Sequence, residues 1–182
     1  MRAVELIFAT GWAAFWLYWL VAAFSMKRGR VQWTRELRIR ALLVVLAIVL
    51  LRLGVFRSNG LTGDPWRAGL GLVFFALGLG LAVWARVHLG RNWGTPMTLK
   101  NDPELVTDGP YRFVRHPIYS GVLLAGLGTA VALTWTLSIA VLLGGVYFVY
   151  SATVEERNMA ERFPETYPAY RRSTKMFVPF VF

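Results

Sequence analysis

The apolar positions of this 182-residue chain are gathered into blocks rather than spread as a soluble core would have them. Residues 3–24 hold one charge, Glu5, and residues 41–51, 68–85 and 118–153 hold none. A helix that crosses a bilayer needs about 20 mostly apolar residues. The pattern therefore predicts five spans, at about 3–25, 38–56, 66–87, 118–133 and 135–153, the last two joined by a turn near Leu133-Thr134-Trp135-Thr136. Each of that last pair is short, so they form either a tilted hairpin or a re-entrant pair. The expected fold is all-α: an integral membrane helical bundle of about five transmembrane helices with a cytoplasmic C-terminal helical tail. One membrane domain covers 1–182, with three N-terminal spans in 1–87 and a polar loop, helical hairpin and tail in 88–182.

The polar segments alternate in charge. Residues 26–40 carry Lys27, Arg28, Arg30, Arg35, Arg38 and Arg40 against Glu36 alone, whereas 57–66 is a short turn with Gly60, Gly63 and Pro65. Arg91, Lys100, Arg112 and Arg115 lie in the next loop, and Arg157, Arg162, Arg171, Arg172 and Lys175 in the tail. The positive-inside rule puts the N-terminus outside and the first loop, third loop and tail in the cytoplasm, as in a cell (inner) membrane with its site facing inward. All the chemically rich segments then share one side. The tail is expected to start a helix near Thr153, break around 164–168 and end in a surface-seeking apolar segment.

Composition changes the picture in three ways. An apolar fraction of 56% exceeds the roughly 45–50% of soluble domains. The absence of cysteine excludes disulfides, thiolate-bound metals and a catalytic thiol, and two histidines argue against a histidine-rich metal centre. The net charge of +10 could suggest nucleic acid, but its cations sit beside apolar blocks, so anionic lipid is the expected partner and nucleic acid is not. The first block is too long and aromatic for a cleaved signal peptide.

Three groups of residues invite chemical readings. The glycine pairs Gly69/Gly71, Gly78/Gly80, Gly126/Gly128 and Gly144/Gly145 lie inside apolar helical blocks, where small residues let helices approach, and not in the strand-to-helix context of a dinucleotide fold. Arg115-His116-Pro117-x-Tyr119 stands just before a long apolar run, with Gly109-Pro110-Tyr111 as a rigid turn upstream. Proline suits a first helical turn. Charges at the edge of a membrane helix serve either as interface anchors or as a functional site. Glu155-Glu156, past the last block, suits either a helix dipole or the recognition of hydroxyl and ammonium groups. His88 reads as an interface residue without a role.

Together these motifs resemble the isoprenylcysteine carboxyl methyltransferase family, which includes phospholipid methyltransferase relatives. The matching pieces are Glu104-Leu105-Val106-Thr107-Asp108-Gly109-Pro110-Tyr111 and Arg115-His116-Pro117-Ile118-Tyr119-Ser120-Gly121. After the hairpin come Glu155-Glu156, Phe163-Pro164-Glu165-x-Tyr167-x-x-Tyr170 and Pro179-Phe180, so the resemblance covers about half the chain, residues 89–182. It implies a membrane-embedded enzyme using S-adenosylmethionine, with residues 88–182 holding the cofactor-binding loop. The cofactor-contacting residues it implies are Glu104, Leu105, Val106, Tyr111, His116, Pro117, Ile118, Tyr119 and Glu155, with Arg115 and Glu156 as catalytic candidates and no metal.

Physical chemistry supplies roles for these positions. A sulfonium suits the aromatic faces of Tyr111 or Tyr119, a carboxylate suits Arg115, His116 or the amide groups at a helix start, and Glu155 suits an amino group or hydroxyl. Methyl transfer is an in-line displacement, governed mainly by positioning and exclusion of water. Three departures stand out. Family members that methylate a prenylcysteine carboxylate carry Arg one turn before the glutamate matching Glu155, where this chain has Ser151. Pro103 stands where a His often sits, and Pro164 replaces Gly after Phe163. If the acceptor is a carboxylate, Arg115, Arg157 or Arg171 is left to meet it. The expected substrate is a lipophilic small molecule or lipidated species drawn from the bilayer: a prenylcysteine-type carboxylate, or alternatively a phospholipid, quinone or other isoprenoid. An NADPH-dependent sterol-reductase-like enzyme and a non-catalytic membrane protein are the competing readings. Oligomeric state is not legible.

Overall fold

The computed structural model describes residues 2–24, 29–30, 64–92, 99–100 and 104–181, with single positions at 38, 41, 42, 45 and 52. Among the described residues these α-helices have stated bounds, in chain order: α1 (Arg2–Ala23), α2 (Pro65–Leu89), α3 (Pro117–Ala132), α4 (Leu137–Arg162) and α5 (Tyr167–Ser173). Short 3-10 turns occupy Gly90–Asn92 and Gly109–Arg112. The span expected at 38–56 lies outside the described residues except at 38, 41, 42, 45 and 52, each of which is helical. Among those described, α1, α2 and α4 are long and apolar enough to cross a membrane, and α3 is shorter.

The helix ends follow local chemistry. Asp64 caps α2 by accepting the Trp66 amide at 3.0 Å, and Pro65 fills the first turn where its missing N–H costs nothing. Pro117 does the same for α3. At about 1.5 Å per residue, the 16-residue α3 reaches roughly 24 Å, less than the ~30 Å hydrocarbon layer. Contrary to expectation, the fifth span is not short and no separate tail helix starts near Thr153. α4 runs unbroken for 26 residues to Arg162, because Glu155 and Glu156 are good helix formers with no Gly or Pro between them and the span. It stops before Pro164, within the region where a break is expected.

α2 and α3 pack antiparallel through a seam of small residues. A Cβ built on Gly78 would lie 2.5 Å from the Gly121 carbonyl oxygen, and one on Gly121 would lie 2.6 Å from that of Gly78. Only glycine permits backbones so close. Gly71 and Gly128 repeat the contact two turns along, with Ala82, Ala125 and Ala132 buried between. The packing role expected for the glycines holds for Gly71, Gly78 and Gly128, with Gly121 as a partner outside the expected pairs, while Gly69 and Gly80 face open space.

α1 joins this pair through Phe8 and Trp12, whose rings lie 4.7 and 5.6 Å from that of Phe75. Trp12 also donates to Thr129 at 3.1 Å. At the far end of α1, the buried Arg86 of α2 donates to the Ala22 carbonyl at 2.8 Å and to that of Gly90 at 2.7 Å. A cation on the last carbonyls of a helix satisfies groups that have no partner within it. The outward faces stay apolar, with Leu20, Leu77, Leu142 and Val146 exposed as lipid-facing residues should be.

Two short pairings interrupt the all-helical plan. β1 (Gly29–Arg30) pairs antiparallel with β2 (Leu99–Lys100), joining the first and third loops as their shared side predicts. Val114 bridges to Lys175 in parallel and draws the C-terminal segment to the mouth of α3.

Candidate functional site at the mouth of α3

The segment leading into α3 is fixed before it reaches the polar residues. Gly109 adopts φ +54° beneath the His88 imidazole, and a Cβ there would lie 2.6 Å from that ring. His88 Nε2 lies 2.9 Å from Asp108 Oδ1, and this hydrogen bond holds the Asp108 carboxyl below its ordinary range. His88, expected to have no role, thus latches the end of α2 to the turn. Pro110 and Tyr111 are buried in that turn, and the Tyr111 hydroxyl donates to the Ala85 carbonyl at 3.4 Å. The Tyr170 hydroxyl donates to the Tyr111 carbonyl at 2.7 Å. Burial raises both phenols, that of Tyr170 to about 12, so each remains a donor.

Beyond the turn, residues 115 and 116 pair with the C-terminal segment as a strand would. The Arg115 amide donates to the Lys175 carbonyl at 2.8 Å and the His116 amide to that of Met176 at 3.1 Å. Ser120 Oγ donates to the Phe177 carbonyl at 2.7 Å. This brings α5 and its continuation over the ends of α3 and α4.

The polar centre is built on that frame. Arg115 Nε donates to Glu156 Oε1 at 2.7 Å, with both side chains at least nine-tenths buried. Its Nη1 donates to the Thr174 carbonyl and, at 3.3 Å, to that of Arg171. His116 lies between the two carboxylates, its Nδ1 3.5 Å from Glu155 and its Nε2 3.4 Å from Glu156. That Nε2 is buried and makes no hydrogen bond among the described residues. Tyr119 donates to Glu155 Oε1 at 2.6 Å. Its ring stacks between His116 at 5.5 Å and Phe148 at 4.5 Å, each within 8° of parallel, with Phe177 beside them. Ile118, Ala152 and Met176 complete this cluster.

The structure therefore unites Arg115, His116, Tyr119, Glu155 and Glu156, with Ile118 packed alongside and Pro117 buried at the first position of α3. Tyr111 sits against α2. Leu105 and Val106 lie half-buried in the extended run before the turn, and Glu104 accepts from Asn92 at 2.9 Å at the end of α2. Phe148 and Phe177 were missed as site residues. Phe148 was findable, since 148, 152, 155 and 156 share one helical face at i, i+4, i+7 and i+8. Phe177 depends on a chain reversal with no periodic signal.

On the other side of Glu156 a groove of about 330 Å³ is lined by Thr153, Glu156, Arg157, Ala160, Arg171 and Met176. Ser151 is fully buried, with its hydroxyl donating to the Tyr147 carbonyl at 2.9 Å.

Fold and site together define a membrane-spanning helical bundle with a polar and aromatic cradle at one end of its last helix pair. The model of the phospholipid methyltransferase family matches residues 66–166, more than half of the chain, and the chain belongs to that family. It is 30% identical over 126 residues to protein-S-isoprenylcysteine O-methyltransferase B of Arabidopsis thaliana, covering 67% of this chain and 64% of that one. It is 29% identical over 125 residues to methanethiol S-methyltransferase of a Pseudomonas species, covering 64% of this chain and 48% of that one. The chain thus spans about half to two thirds of the length of these relatives. Among solved structures, the eukaryotic intramembrane Ras methyltransferase ICMT shares the fold, with a TM-score of 0.57 at 22% identity, over 79% of this chain and 53% of that one.

Proposed function

We propose that this protein is an S-adenosylmethionine-dependent methyltransferase acting on a lipophilic acceptor, with its site at the cytoplasmic ends of α3 and α4. The observation that supports this best is the stack of His116, Tyr119 and Phe148 closed by Glu155, in a chain of the phospholipid methyltransferase family. The residues fit the cofactor. Aromatic faces attract a sulfonium, and the His116 imidazole, 3.5 and 3.4 Å from Glu155 and Glu156, gives the same cradle a polar edge.

When bound, S-adenosylmethionine supplies a methyl group on a positively charged sulfur that a nucleophile displaces in line. Phe148, at the end of the stack, offers its outer π face to that charge, and Glu155, oriented by the Tyr119 hydroxyl, offers a carboxylate to an ammonium or ribose hydroxyl. His116 and the first amides of α3 face anionic groups, as helix starts do. Leu105 and Val106 lie half-buried in the preceding loop, which Glu104 and Tyr111 tie to the end of α2, and Pro117 and Ile118 open α3 beside the cradle. Arg115 and Glu156, locked together, hold the C-terminal segment over the centre and exclude water from it.

Lipid-facing apolar surface beside the site suits an acceptor that arrives sideways from the bilayer: a prenylcysteine-type carboxylate, a phospholipid amine, an isoprenoid or a thiol. The β1–β2 pairing supports placing the first and third loops on the same side, and their positive charge is the reason for taking that side as cytoplasmic. Calorimetry of the purified protein in lipid tests the reading. Saturable S-adenosylmethionine binding, weakened in His116→Ala and Glu155→Gln while both still fold, is expected; no binding to the wild type sinks it. Incubation with methyl-labelled cofactor and membrane extract then types the acceptor, since base-labile label marks an ester.

A further inference from the structure

The segment 104–111 is tied to one side of α2 and of the 3-10 turn that extends it. Asn92 Nδ2 donates to Glu104 Oε2 at 2.9 Å, His88 Nε2 lies 2.9 Å from Asp108 Oδ1, and the Tyr111 hydroxyl donates to the Ala85 carbonyl at 3.4 Å. Positions 85, 88 and 92 stand at i, i+3 and i+7, the spacing of one helical face. Backbone contact fixes that face relative to the aromatic cradle. A Cβ on Gly121, two residues past Tyr119, would lie 2.7 Å from the Ala82 amide nitrogen, about one turn before Ala85.

Of these ties, the one through His88 shapes the backbone. Asp108 stands at the N-cap of the turn Gly109–Arg112, where an aspartate ordinarily accepts from an amide of the element it starts. Its side chain makes no such capping bond here, and the carboxylate turns instead onto His88. The Asp108 carbonyl meanwhile accepts the Tyr111 amide at 3.0 Å. Gly109 then bends the chain at φ +54°, so close under the imidazole that a Cβ would lie 2.6 Å from both Cε1 and Nε2. Only glycine adopts that conformation freely, and the ring fills the side that a larger residue would need. His88 thus holds both the bend and the residue before it, and through them the course of Glu104, Leu105 and Val106.

We infer that His88 is a positioning residue of the cofactor site, holding the 104–108 segment, through Asp108 and Gly109, in the course that binds S-adenosylmethionine. This rests on the methyltransferase reading above. His88 acts on affinity for the methyl donor and hardly on the stability of the bundle. The Asp108 side chain is 78% exposed and that of His88 31%, and a pair so open to water adds little to folding. Its loss lets the segment sample other courses, and apparent affinity then falls by the fraction of molecules left in the competent one.

The test is calorimetry with S-adenosylmethionine on the full chain in neutral maltoside detergent, beside the melting midpoint of the same samples without cofactor. H88L and D108A should each weaken binding about three- to fivefold and move the midpoint by no more than about 2 °C. H88L/D108A should bind no more weakly than either single variant, because both remove the same contact. H88Q keeps an N–H that reaches Asp108 and should return binding to within about twofold of the wild type. Hydrogen exchange without cofactor should quicken at 104–108 in H88L and stay unchanged in α3. Wild-type affinity in H88L, losses that multiply in the double variant, no recovery in H88Q, or unchanged exchange at 104–108 overturns the inference. So does an affinity loss that comes with a larger drop in midpoint, the mark of a merely structural residue. A wild type that binds no cofactor overturns the methyltransferase reading itself, whereas wild-type binding that H88L leaves intact overturns the His88 assignment alone.

Discussion

Removing Arg115 should damage this protein more than removing any exposed arginine, and a second substitution should repair most of the damage. Arg115→Met deletes a hydrogen bond to the nearly buried Glu156 and two more to the carbonyls of Thr174 and Arg171. Stranding one member of a buried ion pair costs about 3–5 kcal/mol. His116 and Arg171, both 3.4 Å from Glu156, hold the loss near the lower end of that range. At roughly 2–4 °C per kcal/mol for a chain of this size, the midpoint of thermal unfolding falls by about 6–12 °C. The double variant Arg115→Met/Glu156→Leu replaces both charges with apolar groups and should recover to within about 1–2 kcal/mol of the wild type, giving a large coupling energy. The assay is fluorescence-detected size-exclusion chromatography after a heat series in detergent, run on the wild type, both single variants and the double. A single-variant shift below about 2 °C, or a double variant worse than either single one, would refute the picture of a desolvated lock.

Other consequences follow from the same geometry. Gly78→Val places a branched side chain against the Gly121 backbone; it should cost about 1–3 kcal/mol or more, and a wild-type melting midpoint would contradict the α2–α3 seam. Ser151→Arg puts a cation at a fully buried position and should abolish a monodisperse elution peak; a folded variant would mean that this position is open to the site. The Asp108 carboxyl has a lowered pKa in the folded protein, so its contribution is present above the unfolded value of about 3.9 and is lost as pH falls through the lower folded value. Hydrogen exchange in the 108–113 turn should rise across that acidic window in the wild type and show no such step in His88→Ala.

What the chain revealed, and what it hid, divides along physical lines. The spans were legible because desolvating charge in lipid leaves long uncharged blocks, and the glycine seam because glycines in such blocks mark close helix contact. The faces were not: Gly71 and Gly78 turn toward α3 while Gly69 and Gly80 do not, a choice made by the partner helix. The length of α4 was misread because the onset of charge at Glu155 marks where the helix leaves the lipid, not where it ends. In the site, the motif located Arg115, His116, Tyr119 and the glutamates, but adjacency in sequence could not say that Glu156 takes Arg115 while Glu155 takes Tyr119. Those assignments, and the part played by Phe177, arise from the strand-like pairing of 115–116 with 175–176, a contact across some sixty positions that leaves no local trace.

The central claim is that the mouth of α3 and α4 holds S-adenosylmethionine. Ultraviolet cross-linking of methyl-labelled S-adenosylmethionine to the purified protein, followed by peptide mapping, addresses it most directly. Label on the peptides carrying His116 and Tyr119 or Phe148 and Glu155, competed away by unlabelled cofactor but not by NADPH, is the predicted result. Label that cannot be competed, or that falls only outside residues 104–119 and 147–177, contradicts the account.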